Sequence, residues 1–329
     1  MSSNQCHPAK NADERGMIAV LIPCHNEEAS IGTVVSEIRS VLPSAEIHVY
    51  DNNSTDSTVL EAEKAGAQVS FEKRQGKGFV VRRFFADVDA DIYVMIDGDD
   101  TYDARSAGKL VSHLHHQRLD MVIGSRAERE SHATVYRPGH KFGNRLLSAT
   151  VALLFGQGVR DMLSGYRVFS RRFVKTFPAA SRGFEIETEL TVHALALELP
   201  VDELETSFGE RAAGSESKLR TFKDGFAILL TIFRLLSRER PTLVFGWLAV
   251  FFLIFSVFLA VPVARTYIET GLVPRFPTLI ASVGLAIISL LSMTCGLVLD
   301  AVTASRRETK RLAYLSYSAG HAGNRFGGE

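Results

Sequence analysis

Two acidic side chains follow a short apolar run and flank a glycine. Asp97 and Asp99 come directly after Ile92–Ile96, with Gly98 between them. In an extended segment, residues two apart point the same way, so both carboxylates could reach one cation. The glycine would let the backbone approach a ligand closely. Mg²⁺ or Mn²⁺ held by one or two carboxylates usually completes its shell with phosphate oxygens. The pattern therefore predicts a cation that offsets the charge of a departing diphosphate.

The same stretch has a second interpretation, an acidic turn that caps a helix. Asp100, Thr101 and Asp103 are residue types that suit an N-cap. We favour the cation site because the acidic pair lies at the carboxyl end of a predicted strand.

Short apolar runs alternate with helical patterns through the first part of the chain. The predicted strands are Met17–Pro23, Ile47–Tyr50, Gln68–Phe71, Ile92–Ile96 and Met121–Gly124. The predicted helices are Glu27–Leu42, Ser57–Ala65, Lys77–Val88 and Ala104–His116. This alternation indicates an α/β fold with a mostly parallel, Rossmann-like sheet that is covered on both faces. Ligands of such sheets bind beyond the carboxyl ends of the strands, where the acidic pair lies.

Other polar residues also fall at predicted strand ends. Asn26 and Glu27 follow the first strand, Asp51 follows the second and Arg126 follows the fifth. Such groups could hydrogen-bond a base and a ribose, while helix N-termini favour phosphate. Ordinary turn and capping chemistry is the alternative. Lys77 lies in a glycine turn that lacks the spacing of a P-loop, and we predict that it reaches an anion.

Beyond Arg126 the pattern is less regular. We predict helices at Lys141–Phe155 and Phe184–Leu199 and strands at Gly165–Phe169 and Val201–Thr206. Phe222–Leu236 carries an apolar stripe with basic residues nearby, which predicts an amphipathic helix on the inner leaflet of a membrane. A helix buried in the soluble core is the alternative.

Two apolar runs near the end of the chain have the length of membrane spans. Leu243–Ala264 and Pro277–Val302 are each long enough, as helices, to cross a hydrocarbon layer of roughly 30 Å. Basic residues are denser outside the two runs than in the connection between them, so both flanks are expected in the cytoplasm. We therefore predict a multi-pass protein of the inner (cytoplasmic) membrane with its first part and both termini in the cytoplasm.

Composition narrows the range of partners. Among 329 residues, Lys and Arg total 37 and Asp and Glu total 37, so zero formal net charge gives no case for nucleic-acid binding. The cysteines, Cys6, Cys24 and Cys295, are too few for a disulfide framework, which fits a reducing compartment. The beginning of the chain is polar, and we expect no cleaved signal peptide.

Taken in order, these motifs resemble the family 2 glycosyltransferases of GT-A fold. Three later motifs narrow the resemblance to polyprenyl-phosphate sugar synthases, which include dolichyl-phosphate mannose synthase and bacterial undecaprenyl-phosphate glucosyl and N-acetylglucosaminyl transferases. They are Asp161–Arg167 (DMLSGYR), Gly183–Glu189 (GFEIETE) and Gly214–Leu219 (GSESKL). The likeness covers about residues 17–240, and two C-terminal spans are common in the bacterial members.

The resemblance implies roles by position. The implied nucleotide-sugar-binding residues are Pro23, Asn26, Glu27, Asp51, Asp56, Lys77 and Asp97. The implied ligands of Mg²⁺ or Mn²⁺ are Asp97, Asp99 and Thr101. The implied catalytic residues are Asp99, Glu187, Arg126 and Arg145, with both arginines gripping the acceptor phosphate and Glu187 orienting the acceptor or assisting as base. Arg211, Ser217 and Lys218 match a mobile loop that closes over donor and acceptor.

The resemblance also implies a reaction. A hexose, preferably glucose or N-acetylglucosamine, would move with inversion from a nucleotide diphosphate sugar to polyprenyl (undecaprenyl) phosphate. A UDP-sugar is preferred over GDP-mannose as donor, and the product would supply lipid-linked sugar for cell-envelope glycans. Two alternatives stay open, a membrane-anchored transferase that extends a lipid-linked glycan at a sugar hydroxyl and a non-catalytic two-span scaffold.

The expected organisation has five regions. They are a polar tail at 1–16, a GT-A domain at 17–217, a juxtamembrane amphipathic region at 218–240, two transmembrane helices at 241–304 and a cytoplasmic tail at 305–329. The amphipathic region and the spans offer surfaces for self-association into a homo-oligomer.

Overall fold

A seven-stranded sheet organises the first part of the chain. The computed structural model describes residues 16–126, 148–153, 155, 159–183, 185–209, 230, 233–234 and 236–317. The strands are β1 (Ile18–Cys24), β2 (Glu46–Asp51), β3 (Gln68–Phe71), β4 (Ile92–Met95), β5 (Met121–Arg126), β6 (Arg167–Ser170) and β7 (Val201–Thr206). They lie in the order β3-β2-β1-β4-β6-β5-β7. β6 is antiparallel to β4 and β5, whereas β1–β2, β2–β3, β1–β4 and β5–β7 pair in parallel. The predicted mostly parallel α/β fold is confirmed.

Helices connect the strands of this sheet. They are α1 (Ile31–Val41), α2 (Thr58–Lys64), α3 (Lys77–Asp87), α4 (Ala107–His116), α5 (Arg171–Thr176) and α6 (Ile186–Ala196), with a short 3-10 helix at Ala104–Ser106. The apolar residues of α1 recur at helical spacing, so Ile31, Val34, Val35 and Ile38 are all buried. They join a core cluster with the inward residues of β1, β2, β4 and α4.

Most predicted elements have their counterparts within a few residues. The sequence pattern missed α5, which follows β6 without an intervening loop. Of the helix predicted at Lys141–Phe155, residues 148–153 and 155 are described and are helical, whereas residues 141–147 and 154 lie outside the described residues. Of the amphipathic helix predicted at Phe222–Leu236, only residues 230, 233, 234 and 236 are described, so its character remains a prediction.

Two further helices follow in the last part of the chain. α7 (Pro241–Thr270) and α8 (Phe276–Leu315) are long and apolar enough to cross a membrane, by length and composition. They contain the two predicted spans and extend beyond them, because basic and polar residues continue the helix of α8 to Leu315. Large apolar side chains such as Trp247, Phe258 and Leu290 are exposed on their outer faces, as lipid contact would require.

Small residues spaced by seven line the contact between α7 and α8. The Ser256 hydroxyl donates to the carbonyl of Ser282 at 2.7 Å, and the Ser289 hydroxyl donates to the carbonyl of Ala249 at 2.7 Å. One heptad further on, a Cβ added at Gly296 would lie 3.0 Å from the Cβ of Phe245. Small side chains and interhelical hydrogen bonds are the means by which helices associate in lipid. The two helices therefore form an antiparallel hairpin with a defined register.

The described structure divides into two units. One comprises Met1–Gly225 with Arg311–Glu329, and the other comprises Phe226–Lys310. Within the first unit, the Tyr314 hydroxyl donates to Asp120 at 2.7 Å, and the guanidinium of Arg172 lies 4.7 Å from the centre of the Tyr314 ring. The side chain of Asp120 is fully buried and also accepts from Arg172 and Ser170. Tyr314, near the end of α8, thus belongs to the same unit as the sheet.

The hairpin register gives a testable prediction. Gly296→Leu should destabilise the α7–α8 hairpin, because overpacking a tight contact costs about 1–3 kcal/mol. Gly284→Leu is the matched control, since a Cβ at Gly284 would meet nothing within 4 Å. Thermal unfolding of the full-length chain in detergent measures both variants. Equal melting temperatures for the two would contradict the described helix contact.

Candidate active site

The carboxyl ends of β1, β2 and β4 meet at one edge of the sheet. β1 lies between β2 and β4, so the chain order reverses on either side of it. Open α/β sheets bind ligands at such a switch point. Asn26, Asn53 and Asp100 follow these three strands with φ angles of 56°, 66° and 56°. Left-handed backbone at non-glycine residues is uncommon and clusters at functional sites, which marks this edge as the candidate site.

Hydrogen bonds join the loop after β1 to the loop after β2. The Asn26 amide N–H donates to Ser54 Oγ at 2.9 Å, and the Thr55 N–H donates to Asn26 Oδ1 at 2.8 Å. The Asp51 carboxylate accepts from the Ser54 N–H at 3.2 Å. Asn26 therefore joins the two loops, while Asp51 holds Ser54 within the loop after β2. Nucleotide binding by both residues stays a prediction. Pro23 lies earlier, within β1, where it is in register with Tyr50 of β2.

Asp56 and Glu27 extend the same contact. The Glu27 N–H donates to Thr58 Oγ1 at 2.8 Å, and Asp56 Oδ1 accepts from the Thr58 N–H at 3.0 Å. Asp56 also accepts from the Glu28 N–H at 3.3 Å. Burial alone would raise the pKa of Asp56, but the hydrogen bonds from Thr58 and Glu28 together lower it. Asp56 and Glu27 thus have a clear role in loop structure, and their role in nucleotide binding stays a prediction.

Asn52 is a residue of this edge that sequence reasoning left without a role. Its amide nitrogen donates at 2.8 Å to the carbonyls of both Glu72 and Arg74, and its amide oxygen accepts from the Gly76 N–H at 2.7 Å. The side chain is buried and joins the loop after β2 to the loop that precedes α3. An aspartate could not make the two donated bonds, because a carboxylate has no N–H to donate.

Lys77 lies at the centre of the site between two carboxylates. Its ammonium is 2.5 Å from Asp97 Oδ1 and 2.7 Å from Glu187 Oε1. The side chains of Lys77 and Glu187 are 7% and 5% exposed, while that of Asp97 is 28% exposed and faces the edge of the sheet. The structure thus brings together three predicted site residues, from the start of α3, the end of β4 and the first turn of α6. Lys77 does reach an anion, as predicted, and the anions that it contacts are two carboxylates of the protein itself.

Burial and charge act on this cluster in opposite directions. Burial would lower the pKa of Lys77, but the charges of Asp97 and Glu187 outweigh it and raise that pKa. Burial raises the pKa of Glu187, which the Asp97 charge reinforces and the Lys77 charge opposes. The second oxygen of Glu187, Oε2, is buried and has no hydrogen-bond partner among the described residues. Buried acceptors without a partner are uncommon in folded proteins, and a catalytic role is one of the reasons for which they occur.

Asp99 lies in a turn, so the extended geometry predicted for the acidic pair is wrong. Gly98 and Asp99 form the turn, and Asp100 follows with positive φ. The reason for glycine at position 98 also differs from the one expected. A Cβ at Gly98 would collide with the Cys24 sulfur, 2.7 Å away, so core packing rather than ligand approach requires glycine here. Asp103 is the residue that caps the helix, since its carboxylate accepts from the Arg105 N–H at 3.2 Å.

The donor set of the acidic pair fits a hard divalent cation. Thr101 donates its hydroxyl to Asp99 Oδ1 at 2.6 Å, which orients that carboxylate. In the described part of the chain, no group of three or more His, Cys, Asp or Glu side chains forms a ready-made metal site. Mg²⁺ commonly binds through one or two carboxylates and takes its other ligands from substrate phosphates and water. Asp97 and Asp99 suit this arrangement, and direct coordination by Thr101 remains a prediction.

Arg126, at the end of β5, forms a two-pronged ion pair. Its Nε and one Nη donate to the two oxygens of Asp161 at 2.7 and 2.6 Å. Burial would raise the pKa of Asp161, but the Arg126 guanidinium lowers it overall. A bidentate pair fixes the plane of the guanidinium. Asp161 is therefore a positioning partner, which the sequence showed only as part of a motif.

Four predicted acceptor residues lie outside the described residues. They are Arg145, Arg211, Ser217 and Lys218. Their roles in binding acceptor phosphate remain predictions from the resemblance.

Comparisons with known proteins agree with this geometry. The sequence model of the family described as Glycosyl transferase family 2 matches residues 19–177. Glycosyltransferase AglJ of Haloferax volcanii is 35% identical over 235 residues, which are 70% of this chain and 75% of AglJ. This chain belongs to glycosyl transferase family 2. It is therefore an enzyme of the glycosyltransferase class, with the α/β sheet of the GT-A-like fold and two candidate spans.

Two other relatives and one solved structure add detail. Protein RfbJ of Shigella flexneri is 55% identical over 124 residues, which are 38% of this chain and 95% of RfbJ. A dolichyl-phosphate hexose transferase of Haloferax volcanii is 28% identical over 223 residues, which are 68% of this chain and 95% of that protein. Glucosyl-3-phosphoglycerate synthase from Mycobacterium tuberculosis, crystallised with Mg²⁺ and uridine diphosphate, has a TM-score of 0.54 at 25% identity, covering 71% of this chain and 85% of that one.

The buried cluster gives a stability prediction. Lys77→Met should lower the free energy of unfolding by about 3–5 kcal/mol, because it leaves the Glu187 carboxylate buried without its cation. Adding Glu187→Met should recover part of this loss. Lys64→Met is the control, since the Lys64–Glu61 pair is exposed and worth about 1 kcal/mol or less. Chemical denaturation of the full-length chain measures all three, and a Lys77→Met variant as stable as Lys64→Met would rule out the buried pair.

Proposed function

We propose that this glycosyltransferase transfers a hexose from a nucleotide diphosphate sugar to polyprenyl phosphate, with inversion at the anomeric carbon. The observation that carries the proposal is the joint presence of the acidic switch-point site and two helices able to span a membrane. A soluble nucleotide sugar and a membrane-bound acceptor would account for both. The relative named dolichyl-phosphate hexose transferase, matched over 95% of its length, supports a lipid phosphate acceptor.

The donor is proposed to be a UDP-sugar, with glucose or N-acetylglucosamine preferred. The solved neighbour that binds uridine diphosphate and Mg²⁺ supports this choice. The loops after β1 and β2 would hold the nucleoside, with Asn26, Glu27 and Asp51 at the carboxyl ends of their strands. Asp97 and Asp99 would hold Mg²⁺ or Mn²⁺. Bound there, the cation would supply charge neutralisation for the diphosphate leaving group.

The acceptor needs little general-base assistance. The second pKa of a phosphate monoester is about 6, so the acceptor is already largely dianionic at neutral pH. Arg126 would contribute positive charge at the end of β5, its guanidinium plane set by Asp161. Arg145, Arg211 and Lys218 are proposed to add further charge. Fixed charges of this kind act mainly by alignment and electrostatic stabilisation, which we take as the main source of rate enhancement.

Glu187 is proposed to orient the sugar rather than to remove a proton. Its Oε1 is paired with Lys77, and its buried Oε2 could accept a hydrogen bond from a sugar hydroxyl. This replaces the expectation that Glu187 assists as a base. Its direct neighbour Lys77, 2.7 Å from Oε1, would hold the carboxylate in place.

The proposed location is the inner (cytoplasmic) membrane, with the enzyme domain and both termini in the cytoplasm. The excess of basic residues outside the two spans supports this orientation. Two other functions fit parts of the chain. A transferase that extends a lipid-linked glycan at a hydroxyl would need a free base, and a non-catalytic scaffold would not need the buried Lys77 cluster.

Membranes that contain the full-length chain can test the proposal. Incubation with radiolabelled UDP-glucose, UDP-N-acetylglucosamine or GDP-mannose and a short polyprenyl phosphate should give a charged, organic-soluble product. A product seen only as a lengthened glycan would favour the hydroxyl transferase. Absence of a lipid-linked product from every donor would contradict the proposed acceptor. The mass of the product identifies the sugar.

Asp99→Asn should lower transfer by on the order of 10²-fold or more, because one charge of the proposed cation site is lost. The Thr101 contacts can persist with asparagine, so the chain should still fold. Asp103→Asn is the matched control, since asparagine caps helices as well as aspartate does. Chelation of divalent cations should abolish transfer by the wild-type enzyme, and Mg²⁺ should restore it. Wild-type turnover by Asp99→Asn would contradict the metal role.

A further inference from the structure

Arg167 is a fully buried arginine that the proposed reaction does not use. Its exposed fraction is 0%, and it is the first residue of β6, in register with Met95 of β4 and Ile123 of β5. Asp97 lies two residues beyond Met95, and Arg126 lies three residues beyond Ile123. Arg167 therefore lies on β6 between β4 and β5, a few residues before the strand ends that carry Asp97 and Arg126.

The Arg167 guanidinium donates hydrogen bonds to two backbone carbonyls of the turn at 161–165. Nε donates to the carbonyl of Ser164 at 2.9 Å, and one Nη donates to the carbonyl of Met162 at 2.7 Å. The other Nη donates to Thr191 Oγ1 of α6 at 2.7 Å. A planar guanidinium presents its donors in a fixed fork, whereas a lysine ammonium is a single point of charge. Only arginine can hold these three acceptors in one geometry.

The turn contacts both sides of the site. At its beginning, Asp161 holds Arg126. At its end, Gly165 lies so close to the ion pair that a Cβ would collide with the Asp97 carboxylate and approach Lys77 Nζ to 2.9 Å. The Gly165 N–H donates to the Tyr102 hydroxyl at 3.0 Å, which fixes this end of the turn. The position of the turn therefore limits where the Asp97 carboxylate and the Lys77 ammonium can lie.

Arg167 also connects the turn to the helix that carries Glu187. Thr191, which accepts from Arg167, donates its own hydroxyl to the carbonyl of Glu187 at 3.1 Å. Burial lowers the pKa of Arg167, although the Glu187 and Asp161 charges oppose this effect. A buried cation that donates chiefly to uncharged acceptors is a costly way to fill a core, because desolvation is only partly offset. Geometry, rather than net stability, is what this residue provides.

We propose that Arg167 is a positioning residue, which holds the turn at 161–165 so that Gly165 keeps the Asp97–Lys77 pair in the geometry needed for transfer. The proposal rests on the donor site proposed above only in that Asp97 belongs to it. It assigns a role to two residues: Gly165, which packs against Asp97 and Lys77, and Arg167, which acts through the turn. Neither needs to touch the substrates.

The test compares Arg167→Met, Arg167→Lys and Gly165→Ala in the full-length chain in detergent. Misplacement of a reacting group by about 1 Å can lower a rate about 10²-fold, so kcat per folded molecule should fall by that order in Arg167→Met and Gly165→Ala. Arg167→Lys should not restore it, since lysine lacks the fork. Arg160→Met is the control, because the Arg160 side chain is 84% exposed beside the same turn, and it should retain wild-type kcat.

A double-mutant cycle separates positioning from mere stability. If Arg167 acts through Gly165, the combined Arg167→Met and Gly165→Ala variant should be little slower than either single variant. Independent, additive losses of kcat, or wild-type kcat in the folded fraction of Arg167→Met, would overturn the proposal. If Arg167→Met does not fold, Arg167→Lys and Gly165→Ala form the cycle instead.

A second readout does not depend on the acceptor. Amine labelling followed by mass spectrometry should leave Lys77 unmodified in the wild-type chain and in Arg160→Met, and should modify it in Gly165→Ala and Arg167→Met. Protection of Lys77 in every variant would contradict the positioning role. If the wild-type chain proves unable to use polyprenyl phosphate, the proposed function fails while this labelling result still decides the role of Arg167.

Discussion

The buried ammonium of Lys77 is the constraint on which the rest of the site depends. A desolvated cation needs counter-charges close by, and Asp97 and Glu187 supply them from β4 and α6. Gly76, with φ of 134°, and Gly78 let the start of α3 lie against the backbone of residues 181 and 182, where a Cβ would collide. Three elements that are distant in sequence are therefore held at one point, and the strand end with the acidic pair gains a fixed position.

The sheet edge extends this constraint outward. Asn26 and Asn52 join the loops after β1 and β2 and the loop before α3, so these segments support one another. On the far side, Asp161 holds Arg126 at the end of β5, and Arg167 holds the turn that follows Asp161. The site is thus surrounded by hydrogen bonds between loops rather than by regular secondary structure, as is usual where a rigid scaffold presents functional residues.

Much of this fold could be predicted, because apolar runs and helical spacing reveal buried strands and amphipathic helices locally. The placement of Asp97 at a strand end followed directly from that pattern. The partners of Lys77 could not be predicted, because Glu187 reaches it only through tertiary packing. The reason for glycine at position 98 could not be predicted either, because the Cys24 sulfur that requires it lies on another strand. Arg167 gave no signal beyond its motif, because burial of a charged residue is not visible in sequence.

The amide of Asn52 has one more effect on how the enzyme meets its donor. Because its three hydrogen bonds already tie neighbouring loops together, those loops have little conformational freedom left to lose when a nucleotide arrives. The entropy of ordering them is lost once, during folding, and not again in each catalytic cycle. Donor binding at this edge should therefore require little rearrangement of these loops.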